Sequence, residues 1–130
     1  MRKEIRVEDI LNAVCRYFSL NARDIFTTTR KADLVEARHF YFYMARRYTR
    51  LSMEKIGTVP LNYGKEKPYD HSTVLHGIKK IDNLIDTYRD YKEIAIELNS
   101  TIEYYTDNNI IVENIDLLQI CLDNQLKKAS

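Results

Sequence analysis

The residues Asp70-His71-Ser72-Thr73 set a carboxylate, an imidazole and two hydroxyls in a row where a helix begins. Asp70 is a helix-capping residue type, and Val74, Ile78 and Ile81 follow at helical spacing as an apolar stripe. The chemistry open to this first turn is hydrogen bonding. Asp70 accepts from its own backbone as a cap or from a cytosine amino group. His71 donates to a base or a phosphate, or touches a thymine methyl. Ser72 and Thr73 reach base edges or phosphate oxygens and are small enough to let the helix sit deep in a groove. His76, further along, reaches a flanking phosphate. A polar first turn on a buried stripe is the layout of a recognition helix. It also suits a capped surface helix with a solvated first turn. The i,i+5 spacing of His71 and His76, with no third ligand near, does not suit a metal, so the reading carries no metal and no cofactor.

Several elements must position that turn. Val7 to Phe18 reads as a helix with Ile10, Leu11, Val14, Cys15 and Phe18 on one stripe. Asn21 caps a short helix through Ile25 and Phe26. Thr27-Thr28-Thr29-Arg30-Lys31 is a basic loop. Asp33 and Glu36 have capping-box spacing and start a long helix to about Tyr48. Ser52 caps a helix over Met53 to Ile56, and Gly57 supplies the left-handed residue that ends it. Thr58 to Tyr69 is a loop, and Asp70 then caps a helix through about Thr87. A short helix, a connection and a second helix make a helix-turn-helix whose turn exceeds the usual three or four residues. With no strong breaker between Asp82 and Tyr105, the chain can continue from this helix as one long rod. Ile94, Ala95, Leu98, Ile102 and Tyr105 mark its apolar side. Ile111, Ile115, Leu118, Leu122 and Leu126 mark a last amphipathic helix after a break at Asp107-Asn108-Asn109.

The 130 residues suit one domain with an appendage. The net charge of +1 hides a split. Residues 1–80 carry 16 Lys and Arg against 9 Asp and Glu, and residues 81–130 carry 4 against 10. A basic working half with an acidic remainder fits nucleic acid, although solvated faces can segregate by chance. No run approaches a membrane span and no signal-peptide core is present, so no membrane partner and a cytoplasmic location are expected. Cys15 and Cys121 read as buried free thiols, which agrees.

The segment Asp70-His71-Ser72-Thr73-Val74-Leu75-His76 resembles the signature helix of the C-terminal DNA-binding domain of the bacterial replication initiator DnaA family, with one conservative change at Ser72. Ala37-Arg38-His39 and Leu51-Ser52-Met53-Glu54-Lys55-Ile56-Gly57 stand upstream at the family's spacing. The resemblance spans roughly residues 5–88 and implies an all-α helix-turn-helix bundle of the Trp-repressor-like type, here with an extra C-terminal helical extension. It implies that Arg30, with Lys31 beside it in the basic loop, enters the minor groove. It implies that Arg38 meets phosphate, and that His39, where the family usually has Gln, meets the backbone too. It also implies that Arg46 can meet phosphate and that Met53 and Lys55 lie close to DNA. Asp70, His71, Ser72 and Thr73 take the major-groove positions, and His76 one near the backbone. Two departures qualify it. Thr58 to Tyr69 is longer than the family's Gly-Gly-Arg turn, with Tyr69 in place of the arginine, and Ala32 replaces a second basic loop residue.

No G-x-x-x-x-G-K-[ST] segment is present, and no nucleophile has an adjacent base. The expectation is therefore a detached DNA reader with no ATPase module, no nucleotide and no enzymatic activity, serving replication initiation control or transcription regulation. Residues 1–88 form the reader and 89–130 an acidic extension, packed on it or forming a homodimer interface. The alternative is a repurposed fold that binds protein. Phe40-Tyr41-Phe42-Tyr43 set aromatics all round one helix. Some must be core, and outward-facing rings are left to stack on unpaired bases or receive the C-terminal helices.

Overall fold

The computed structural model describes residues 4–27 and 30–107, which form six α-helices with no strand among them. These are α1 (Val7–Phe18), α2 (Ala22–Ile25), α3 (Ala32–Tyr48), α4 (Met53–Thr58), α5 (His71–Thr87) and α6 (Arg89–Asp107). The all-α helix-turn-helix class expected from the sequence is the one observed. The amphipathic segment 111–126, Cys121, and Thr28 and Thr29 of the basic loop lie outside the described residues.

The local physics of each helix start explains most of this order. Asn21 Oδ1 accepts from the Asp24 amide at 2.9 Å, Ser52 Oγ from the Lys55 amide at 3.1 Å, and Asp70 Oδ1 from the Thr73 amide at 2.7 Å. Each satisfies one of the amides that a helix N-terminus leaves without an internal partner. At α1 the cap is Arg6, whose amide donates to Asp9 Oδ2 at 2.9 Å. The helix stops where Ser19 turns left-handed at φ 54° and Leu20 donates back to the Cys15 carbonyl at 3.0 Å.

The centre of the molecule is α3. Residues 37–42 are buried on every side of the helix, so its middle stretch has no solvent-facing side. Phe40, Tyr41 and Phe42 are fully enclosed, and the Tyr41 hydroxyl donates to the Ile56 carbonyl at 2.9 Å. These rings are therefore core, and the base-stacking alternative does not apply to them. Around α3 pack α1, α2, α4 and α5, while α6 closes the bundle against α1 and α5.

Three boundaries differ from the sequence reading. Helix α3 begins at Ala32 with Lys31 as its cap residue and no side-chain capping bond, so Asp33 and Glu36 form no capping box. Glu36 instead accepts a hydrogen bond from the Tyr91 hydroxyl. Helix α4 runs through Gly57 to Thr58 and passes directly into a 3-10 turn over Val59–Tyr63. The left-handed glycine is Gly64, at φ 94°. Gly57 answers a different need, since a Cβ there would stand 2.4 Å from the Tyr69 carbonyl oxygen. Finally, no rod forms. Tyr88 is extended at φ −120°, ψ 129°, and α6 turns back so that Leu98, Ile102 and Tyr105 enter the core beside α1. Burial of that apolar side outweighs the cost of one non-helical residue. The far end of α6 is fastened by the Thr106 hydroxyl, which donates to the buried Asp9 carboxylate at 3.2 Å.

Candidate nucleic-acid interface

Helix α5 is anchored by its body and free at its start. Val74, Gly77 and Ile81 are buried, with Ile78 and Leu84 half-buried. Gly77 occupies the tightest point of the α3–α5 contact, where a Cβ would meet the His39 and Phe42 rings at 2.8 Å each. Asp70, His71, Ser72 and Thr73 are all exposed at the N-terminal end, and His76 is exposed one turn further on. Hydrogen bonds from Thr73 hold the Asp70 carboxyl below the usual carboxylate range. Asp70 is thus an ionised cap at the exposed start of the helix. The helix N-terminus offers amide hydrogens and a partial positive charge to an anion.

The connection before α5 is ordered by a short set of contacts. The Tyr69 amide donates to the Gly57 carbonyl at 2.9 Å, and the Lys65 amide donates to the Pro60 carbonyl at 3.3 Å. The Tyr69 ring wedges edge-on against Phe42 with 5.3 Å between centroids and lies 6.3 Å from Phe26. The added residues therefore form a stitched turn, and α4 and α5 are locked at fixed relative positions.

Arg30 and Lys31 are exposed just ahead of α3. Arg30 lines a shallow groove of about 420 Å³ with Val35, Glu36, His39, Lys80 and Tyr91. This groove joins the basic loop to the α5 body and brings in Lys80. Lys55 is exposed and Met53 half-buried on α4. Exposed Arg46 donates weakly to the Leu51 carbonyl at 3.4 Å, tying the end of α3 to the entry of α4.

Two expected surface contacts lie inside. Arg38 is 9% exposed. Its Nε donates to the Ile25 carbonyl at 2.8 Å and its Nη2 to the Thr27 carbonyl at 2.7 Å. The guanidinium also stands 5.7 Å from the Tyr69 ring centroid. It fixes the start of the basic loop from beneath. His39 is 8% exposed, with its ring 5.9 Å from that of His76 and against Gly77. Burial pushes its pKa down to about 4, helped by Lys80, His76 and Arg38, so the ring is neutral at ordinary pH. In the lengthened connection, Lys65 rests its Nζ 4.4 Å from the Tyr69 ring centroid, a contact that the sequence spacing alone does not show because it depends on the geometry of the turn.

Among the described residues no group of His, Cys, Asp and Glu is arranged to hold a metal ion, and no helix is long and apolar enough to cross a membrane. Cys15 is a half-buried free thiol whose pKa burial pushes up to about 12.

The family described as bacterial dnaA protein helix-turn-helix matches residues 7–81. The chain is 34% identical over 101 residues to the chromosomal replication initiator protein DnaA of Bacteroides thetaiotaomicron, covering 78% of this chain and 20% of that protein. It is 38% identical over 79 residues to the protein of the same name from Bacteroides fragilis, covering 61% of this chain and 15% of that one. For the Campylobacter jejuni protein the identity is 31% over 101 residues, covering 78% of this chain and 22% of that one. The chain spans about a fifth of the length of these curated relatives.

Proposed function

The chain belongs to the bacterial DnaA helix-turn-helix family, and from that premise we propose that it binds double-stranded DNA, reading the major groove with the first turn of α5. One observation carries this reading. His71, Ser72 and Thr73 are all exposed at the start of a helix whose Val74, Gly77 and Ile81 are buried. Such a helix presents small donors and acceptors to base edges from a rigid mount. Exposed Arg30 and Lys31 suit the adjacent minor groove, where an arginine senses groove width and A·T content. Lys55, Arg46 and His76 are set for phosphate, which supplies affinity and its salt dependence. Arg38 and His39 act from below as positioning residues, with Arg38 holding the loop that carries Arg30 and His39 bearing α5. The relatives are named chromosomal replication initiator proteins, which supports a use of this binding in the initiation of replication.

The test is duplex binding followed by fluorescence anisotropy at two salt concentrations. The wild type is expected to bind a random-sequence duplex in a salt-sensitive way and a selected target more tightly. His71→Ala combined with Ser72→Ala is expected to lose about 1–3 kcal/mol of discrimination per lost base contact, with non-specific affinity largely kept. Arg30→Ala is expected to weaken binding while the fold is retained. Absence of duplex binding by the folded wild type at low salt sinks the proposal. An unchanged sequence preference in the double variant removes α5 from base readout.

A further inference from the structure

Lys65 and Tyr69, on the connection that departs from the family pattern, cluster with Arg38 of α3. Tyr69 is the residue before Asp70, the cap of α5, so its ring marks the entry to the exposed first turn. The ring is fixed on its inner side by Phe42 and Phe26 and through its own amide by Gly57. Both Arg38 and Lys65 direct their cations to this one ring. Arg38 is committed to the carbonyls of Ile25 and Thr27. Lys65 is different. It is half-buried, and its ammonium rests 4.4 Å from the centroid of the aromatic ring. The next two residues, Glu66 and Lys67, are exposed and opposite in charge, so the turn as a whole carries one surplus positive charge.

We propose that Lys65 is a phosphate-contacting residue of the interface, held beside the N-terminus of α5 by the ring of Tyr69; this rests on the duplex-binding reading above. An ammonium has three donors, and a ring face satisfies it without using them in directed hydrogen bonds. It therefore remains open to a backbone phosphate flanking the groove that α5 enters. A lysine whose ammonium is already held on a ring gives up less side-chain freedom on meeting that phosphate than one swinging in solvent. The longer connection then adds an electrostatic contact without altering which residues face the bases.

The experiment measures the dependence of affinity on salt for the full chain and a random-sequence duplex, so that no target sequence is needed. Lys65→Gln is expected to make the slope of log K against log salt shallower by about one. Lys67→Gln is expected to leave the slope as in the wild type. Tyr69→Phe keeps the ring and is expected to match the wild type, whereas Tyr69→Leu, with helical content checked by circular dichroism, is expected to bind more weakly although every charge is kept. A wild-type slope in Lys65→Gln overturns the proposal. Equal changes in Lys65→Gln and Lys67→Gln overturn it too, because diffuse loop charge would then account for the effect. Unweakened binding by folded Tyr69→Leu refutes the holding role of the ring. Failure of the wild type to bind any duplex overturns the underlying reading instead, and it is seen before any variant is compared.

Discussion

At the scale of single residues, charge type did not decide location. Arg38 and His39 are polar, yet the structure encloses both, and each is stabilised by what surrounds it. Arg38 meets two carbonyls near the C-terminal end of α2, where a charged donor is worth more than a neutral one. His39 is kept neutral by burial and by the nearby cations Lys80, His76 and Arg38. That neutrality has a consequence for stability. The unfolded imidazole titrates near its ordinary value of 6.5 and the folded one at about 4. Between these values the unfolded chain binds more protons, so stability falls as pH drops through that window and is fully regained above it. The loss is expected to be about 2 kcal/mol, read as the shift in urea-unfolding free energy between pH 6.5 and 4.5. His39→Gln removes the titrating group, and its pH profile in that window should be flatter than that of the wild type. Parallel profiles for the two proteins would show that His39 ionises freely in the fold.

Among the elements, the parts legible in sequence were those set by local physics. The α1 span and the capping residues Asn21, Ser52 and Asp70 were read correctly, because a short polar side chain before an apolar stripe acts only on its own helix. Gly57, Glu36 and Tyr88 were misread because tertiary contacts govern them. A glycine after a short helix resembles a left-handed stop, but Gly57 serves the close passage of Tyr69 across α4. This sets an expectation for Gly57→Ala. Helix propensity alone favours alanine by about 1 kcal/mol. The new Cβ would, however, stand 2.4 Å from a backbone carbonyl that no rotamer change can move. The connection must shift, and the bond from the Tyr69 amide to the Gly57 carbonyl is strained. A net destabilisation of about 2 kcal/mol is expected, with weaker duplex binding because the entry to α5 moves. A rise in melting temperature would mean that the passage is looser than the structure has it. The candidate site divides the same way. The exposed turn at His71–Thr73 was readable from the pattern, but the support from Arg38, His39 and Tyr69 depends on which side chains meet across the core.

For the molecule as a whole, the open matter is what the acidic C-terminal part does for the basic remainder. The family match ends at residue 81, before α6 begins. On that boundary alone, α6 would be dispensable to the fold. The packing argues otherwise. Leu98 and Ile102 are completely buried and Tyr105 nearly so, in the same core as Ile10 and Val14 of α1. Tyr91 stacks on Phe40 at 6.2 Å between centroids and hydrogen-bonds Glu36, so α6 also grips the central helix. Each buried aliphatic side chain contributes on the order of 2 kcal/mol or more when its truncation leaves a cavity, against a total stability of only about 5–15 kcal/mol for a domain of this size. Leu98→Ala and Ile102→Ala are therefore each expected to lower the unfolding free energy by about 2–4 kcal/mol. A chain ended after Thr87, which uncovers the α1 face altogether, is expected to lose its cooperative urea transition. Because α5 packs against α6 as well as α3, duplex binding should fall with it. If the shortened chain keeps the wild-type unfolding midpoint, α6 is an attachment to a finished domain. If it loses the transition, the basic and acidic parts are one folding unit, and the charge split marks two faces of a single core.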